Sequence, residues 1–190
     1  MTDVIDSAVT GWLSRFERYD VVSSTNDVVT GWLRDGVPEV CVAITDVQTA
    51  GRGRLGRSWQ APGGTSLLFS LALMPPVPPG RLPELTLVTA RAVADGLACT
   101  AGVQPAIKYP NDLLVRGRKV AGILGEAREG HVVVGVGVNV NIPGGRLPRD
   151  AATPPTSLLL ETGKPQDRGL LLAAILVALE RRYDAWLAQA

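Results

Sequence analysis

Reactive potential is most concentrated between Gly51 and Trp59, where Gly51-Arg-Gly-Arg-Leu-Gly56 runs into Arg57-Ser58-Trp59. Glycines let backbone N–H groups approach an anion closely. Guanidinium groups neutralise phosphate oxygens through paired hydrogen bonds. The run matches G-x-G-x-x-G, and with Arg57-Ser58 it nearly matches a P-loop, with Arg57 standing where that motif has lysine. Both motifs need a helix behind the glycines. Here Pro62, Gly63 and Gly64 follow too soon for one. The segment is therefore either a phosphate-binding loop without its helix or a solvated basic loop. Trp59 offers a flat face to a ring or to the core.

Lysine is the second signal. The chain has three lysines against sixteen arginines, and two of the three, Lys108 and Lys119, share one short stretch. A compact ammonium suits a single phosphoryl oxygen or a carboxylate where a planar fork does not fit. Lys108-Tyr-Pro-Asn-Asp112 and Lys119-Val-Ala-Gly-Ile-Leu124 bracket this stretch. Pro110 sets a turn, Asn111 and Asp112 can bind backbone or face a ligand, and Gly122 leaves room for close approach. A plain hairpin with exposed lysines is the competing reading.

These residues need elements to hold them. Trp12, Leu13, Phe16 and Tyr19 fall at helical spacing, so residues 7–19 are expected to be helical. Val21-Val22 is a short strand candidate, residues 26–34 a helix stopped by Asp35-Gly36, residues 40–46 and 66–74 apolar strands, and residues 83–100 a buried helix. Residues 107–115 form a strand broken at Pro110-Asn111. Residues 120–127 and 131–141 form a hairpin, residues 143–155 a linker, and residues 166–187 a long amphipathic helix. Strands occur both as a meander and between helices. The expected class is α+β: a mixed, mainly antiparallel sheet flanked by helices, with residues 1–190 as a single domain.

Taken together, the motifs resemble the catalytic domain of biotin protein ligases. Ser23-Ser24-Thr25-Asn26, Asp46-Val-Gln48 through Trp59, the two lysine motifs, Gly135-Val-Gly-Val-Asn139 and Thr156-Ser157-Leu158 occur in the family's order, spanning about residues 21–160. The resemblance implies a sheet of the biotin/lipoate ligase type, ATP with Mg2+, and biotin as substrate. It implies that Ser24, Thr25, Asn26, Gln48, Gly51, Arg52, Gly53, Arg54, Lys119 and Gly122 surround biotin. On the ATP side it implies Arg54, Arg57, Trp59, Asn111, Asp112, Lys119 and Asn139. The resemblance further implies that Lys119 and Arg54 are the catalytic pair, with Lys119 neutralising charge between the biotin carboxylate and the α-phosphate. The implied acceptor is a lysine of a biotin carboxyl carrier protein. A lipoate-type ligase, or a binder that adenylates nothing, are the rival readings.

Tyr109 stands where the family's lysine motif has tryptophan, which keeps a large ring but adds a hydroxyl. No helix-turn-helix segment precedes Ser7, so repressor function is not expected. Family members continue into a small β-barrel after the last helix, whereas this chain reaches Ala190 there, which leaves open a shortened chain, a minimal ligase, or one that needs something in trans. Net charge is +1, which argues against nucleic acid or an anionic membrane as the main partner. The apolar stretch of residues 169–179 is too short to span a bilayer, and residues 1–6 carry no secretory pattern. Cys41 and Cys99 each sit in apolar surroundings and are expected to be buried reduced thiols. A cytoplasmic protein is the expectation, and free strand edges would suit a homodimer. The sole histidine, His131, reads as structural or solvent-exposed.

Overall fold

In a strand, alternate side chains face opposite sides, and here the two sides have different characters. The computed structural model describes residues 11–128, 131–148 and 151–189. Its seven strands are β1 (Arg15–Val22), β2 (Cys41–Gln48), β3 (Ser66–Leu73), β4 (Ala106–Lys108), β5 (Asp112–Val115), β6 (Arg118–Arg128) and β7 (His131–Asn139). They form one sheet in the order β1-β2-β3-β7-β6-β5-β4. Only β1 and β2 pair in parallel. The mixed, mainly antiparallel sheet expected from the sequence is the sheet observed.

One face carries Val42, Ile44, Leu67, Phe69, Leu71, Leu73, Ile123, Val132, Val134, Val136 and Val138, all buried. Helices α2 (Glu84–Ala101) and α4 (Arg168–Leu187) pack on each other across this face and close the main core. They cross closely at Gly96, where a Cβ would stand 2.4 Å from Ile175 Cγ1 and 3.2 Å from its backbone. The opposite face is mostly small or polar: Cys41, Ala43 and Thr45 on β2, Ser66, Ser70 and Ala72 on β3, Gly135 and Gly137 on β7, and Gly122 on β6. Helix α1 (Thr25–Arg34) covers part of it with Val29 and Trp32, over Cys41, Ala43, Ala72 and Val133. The remainder stays open.

Asp46 ties the outer strands to α4. Its carboxylate accepts from Arg18 Nη2 at 2.6 Å and from Arg168 Nη1 at 2.6 Å. Burial alone would raise its pKa, but the two guanidinium groups outweigh that and hold it below the usual aspartate value.

Two expectations are corrected. The helix expected over residues 7–19 gives way, from Arg15 onward, to strand β1; residues 7–10 lie outside the described residues. The aromatic spacing is real, but a period of two runs beneath it. Arg15, Glu17 and Tyr19 share a face and hydrogen-bond one another, while Phe16 packs against the core. Pairing from Arg15↔Cys41 to Val22↔Gln48 satisfies the β2 edge, which a helix could not do. Cys99 is exposed, unlike Cys41. It lies in the last turn of α2, where Thr100 also faces solvent. A further short helix, α3 (Leu158–Thr162), follows Thr156-Ser157 and is capped by the Ser157 hydroxyl, which accepts from Leu160 N. Among the described residues, no helix is long and apolar enough to cross a membrane.

Gly96→Ala should cost about 1–3 kcal/mol through overpacking at the α2–α4 crossing. Thermal denaturation measures this, and an unchanged midpoint would mean that the crossing relaxes freely.

Candidate functional site

The open part of the small-residue face is a cleft. Its floor is glycine. Gly122 and Gly137 are paired neighbours on β6 and β7, and Gly135 lies two residues along the same face. Side chains lean over each of them. A Cβ at Gly135 would meet Asn26 Oδ1 at 2.3 Å, one at Gly137 would meet Trp59 Cε2 at 2.5 Å, and one at Gly122 would meet Trp59 Cζ3 at 2.9 Å and Lys119 Nζ at 3.2 Å. The cleft therefore runs about two residues, or about 7 Å, from Asn26 to Trp59 and Lys119 along β7.

The Asn26 part is a polar network held by the start of α1. Ser24 is the N-cap of α1, yet its side chain makes no capping bond, and it lines the cleft instead. Gln48 Oε1 accepts from Thr25 N at 2.9 Å and from Thr25 Oγ1 at 3.1 Å. Thr25 Oγ1 and Ser70 Oγ lie 2.6 Å apart, and Ser70 Oγ donates to Asn26 Oδ1 at 2.5 Å. Asn26 Nδ2 donates to Glu126 Oε2 at 2.7 Å. Arg52 closes the network, with Nη2 2.8 Å from Asp27 Oδ1 and 3.3 Å from Glu126 Oε2. Gln48 lines the cleft with its Oε1 held by Thr25.

The other part is cationic, and a β-bulge places it. Leu113 pairs with Ala121 but Leu114 pairs with Lys119, so Val120 is an extra residue. In a regular strand Lys119 would share the face of Ala121 and Ile123, which is the apolar core. The extra residue reverses the alternation. Val120 and Ala121 are both buried, and Lys119 emerges beside Gly122. Its Nζ lies 2.7 Å from Asp112 Oδ1 and 5.5 Å from the centroid of the Trp59 ring. Asn111 Nδ2 donates to Asp112 Oδ1 at 3.1 Å, and Arg54 Nη1 donates to Asn111 Oδ1 at 3.0 Å. One chain of contacts thus links Arg54, Asn111, Asp112 and Lys119.

The Gly-Arg loop has no helix behind it, as its prolines and glycines dictate. It folds back on itself instead: Gly53 N donates to Arg57 O at 2.7 Å and Trp59 N to Gly51 O at 2.9 Å. That fold carries Trp59 inward. Its indole Nε1 is buried over Gly137, where a Cβ would stand 2.8 Å from it, and has no hydrogen-bond partner among the described residues.

Of the residues expected at the site, Ser24, Thr25, Asn26, Gln48, Arg52, Gly53, Arg54, Trp59, Asn111, Lys119 and Gly122 line the cleft. Four do not. Gly51 is buried against the Trp59 carbonyl, where a Cβ would come within 2.5 Å. Arg57 is exposed on the loop. Asp112 stands behind Lys119. Asn139 is buried and donates through Nδ2 to Thr156 O at 2.9 Å. Sequence reasoning did not single out Ser70, Glu126, Gly135 or Gly137 as site residues. The alternation of Gly and Val in residues 134–138 is the signal that could have found the floor; on β3 the small residues Ser66, Ser70 and Ala72 are interrupted on the same face by Leu68, which masks Ser70. Nothing local marks Glu126, which arrives from 74 residues beyond Arg52.

The model of the biotin/lipoate A/B protein ligase family matches residues 19–142. The bifunctional ligase/repressor BirA of Bacillus spizizenii is 38% identical over 169 residues, covering 86% of this chain and 52% of that protein. The biotin–[acetyl-CoA-carboxylase] ligase of Mycobacterium tuberculosis is 35% identical over 198 residues, covering 98% of this chain and 70% of that protein. Among solved structures, the biotin protein ligase from Aquifex aeolicus in complex with biotin and ATP superposes with a TM-score of 0.81 at 29% identity, covering 93% of this chain and 73% of that one. The chain spans about half the length of the Bacillus relatives it matches.

Gly137→Ala should push the Trp59 ring off the floor. Of the four indole N–H signals in a 1H–15N spectrum, that of Trp59 should shift most. If the Trp12, Trp32 or Trp186 signals move instead, Trp59 does not rest on Gly137.

Proposed function

The chain belongs to the biotin/lipoate A/B protein ligase family, and within it we propose that this protein is a biotin protein ligase. It would form biotinyl-5′-AMP from biotin and ATP and pass the biotin to a lysine of a biotin carboxyl carrier protein. The observation that carries this reading is the meeting, in one glycine-floored cleft, of the Thr25–Gln48–Ser70–Asn26 network with Lys119 and Arg54. The network offers fixed donors and acceptors to a polar ring. The cations stand where a carboxylate and a phosphate could meet.

In the first step a carboxylate oxygen of biotin attacks the α-phosphorus of ATP. The bond from that phosphorus to the β-phosphate bridge breaks, and pyrophosphate leaves. The carboxylate is already a nucleophile, so the protein needs to align two anions and neutralise them rather than supply a strong base. Lys119 Nζ is the compact cation for the meeting point, and Arg54, reaching across to Asn111, covers it from the loop. Trp59 presents its ring to the adenine side. In the second step the acceptor lysine loses a proton and attacks the carbonyl carbon of the mixed anhydride. The bond to the phosphate oxygen breaks, and AMP leaves. Closure of residues 51–57 over the cleft would keep water from the anhydride.

Mg2+ fits this site as a companion of ATP. Among the described residues no three His, Cys, Asp or Glu side chains converge, and Asp112 is already engaged by Lys119. Such a donor set suits an ion carried on nucleotide phosphates rather than one held in a protein cage. When bound, Mg2+ would withdraw charge from the phosphates.

Biotin-dependent ATP–pyrophosphate exchange is the direct test, with lipoate as the competing acid. Exchange with lipoate but not biotin would reject the substrate, and exchange with neither would reject the ligase. Lys119→Ala should lower exchange by about 10²–10³-fold, the scale of losing one preorganised charge partner, with the folded state retained by circular dichroism. Arg54→Gly should raise the free biotinyl-adenylate found in solution, measured by chromatography after single turnover. No rise would mean that Arg54 does not seal the cleft.

A further inference from the structure

Glu161, in α3, is a buried carboxylate to which the chemistry above assigns no role. Its side chain is 1% exposed. Oε1 accepts from Arg118 Nη2 at 2.7 Å and from Thr156 Oγ1 at 2.5 Å. Oε2 makes no hydrogen bond among the described residues, and Arg116 Nη1 stands 3.7 Å away. A buried carboxylate is costly to keep unless its partners hold it. The two arginines are largely in solvent, with side chains 76% and 44% exposed. The partner on the inner side is Thr156, which is fully buried.

Thr156 leads to Lys119. Strand β6 loses β7 as a neighbour at its start: the last β6–β7 pair is Ala121↔Val138, and Asn139 pairs only with β3. Residues 154–156 take the vacated edge. Lys119 N donates to Pro154 O at 2.8 Å, and Thr156 N donates to Lys119 O at 2.8 Å. These bonds take both backbone polar groups of Lys119 on that edge, beside the bulge at Val120 where pairing with β5 is irregular. The gripping segment is itself held at two points. Asn139 Nδ2 donates to Thr156 O, and the Thr156 hydroxyl donates to Glu161.

We propose that Glu161 is a positioning residue for Lys119, acting through Thr156 and the residue 154–156 segment. The proposal rests on the reading of Lys119 as the cation between carboxylate and α-phosphate. Glu161 fixes the segment, the segment fixes the Lys119 backbone at the bulge, and the bulge aims the ammonium at the cleft. Asn139 completes the brace. Its buried amide is thereby committed to protein.

The variants are Glu161→Ala, Glu161→Gln and Thr156→Val. Thr156→Val cuts the link while leaving Glu161 with its arginines, so it guards against an Ala variant that fails to fold. Amide hydrogen exchange, read residue by residue, tests the placement without any catalysis. Lys119 and Thr156 should lose protection in Glu161→Ala and Thr156→Val, while β3 and β7 keep theirs. Retained protection at Lys119 overturns the proposal. Pyrophosphate exchange tests the consequence. The turnover rate should fall about tenfold or more, the scale of a catalytic group displaced by a fraction of an ångström, with little change in KM for biotin. Glu161→Gln, whose amide oxygen still accepts from Thr156, should recover part of the rate. In a Lys119→Ala background the Glu161→Ala change should cost nothing further. Additive losses, or deprotection with an unchanged rate, would make Glu161 a merely structural residue and overturn its positioning role. If the wild-type chain shows no exchange at all, the ligase reading fails, while amide exchange still decides whether Glu161 holds Lys119.

Discussion

A lysine near the middle of a sheet must leave the apolar face or lose its charge. The register of β6 would send Lys119 under α2 with Ala121 and Ile123. One inserted residue, Val120, turns it to the other side. The cleft depends on that reversal. Without it, the ammonium would not stand beside Gly122, Asp112 would lose its partner, and the Arg54–Asn111 contact would end in an uncompensated carboxylate. The tight Arg116-Gly117 turn, with both residues at positive φ (50° and 76°), starts β6 in register and leaves the bulge as the point where the alternation changes.

The second condition is the unequal size of the two faces. Large side chains on one side hold α2 and α4, and their burial supplies most of the apolar contribution to stability. The other side cannot be packed in the same way, because glycine, serine and alanine leave space above them. Helix α1 fills part of that space with Trp32 and Val29. The loop brings Trp59 to another part. What remains is open because the sheet beneath it carries glycine at Gly122, Gly135 and Gly137.

Much of this could be read from residue order. The lysine motifs, the Gly-Arg loop and the Ser24–Asn26 segment are local, and each kept its place in the fold. The broken strand at Pro110-Asn111 became β4 and β5, and the apolar runs became β2, β3, β6 and β7. Strand β1 was misread because four aromatic and aliphatic residues happened to satisfy a helical spacing, and only pairing with β2, 26 residues away in register, decides between the two periods. The bulge at Val120 was invisible for a similar reason, since no residue type announces it. Ser70 and Glu126 act through partners 45 and 100 residues distant, and the Thr156–Glu161 pair bears on Lys119 from 37 residues along the chain, beyond the reach of any spacing rule. Arg57, Asp112 and Asn139 lie close to the cleft in sequence and motif, yet their side chains stand outside its lining.

The ion pairs of the cleft also bear on selectivity. Lys119 rests on Asp112, and Arg52 on Asp27 and Glu126, so much of the positive charge of the cleft is neutralised from within. A stray phosphate or sulfate gains little there, because it would have to compete with a carboxylate that is tethered and pays no entropy to stay. Only a molecule that also covers the Trp59 ring, reaches Gln48 and fills the space above the glycine floor can recover the cost of loosening those pairs. The cleft thereby discriminates by the number of simultaneous contacts rather than by charge, which favours a two-ended ligand over the small anions of the cell.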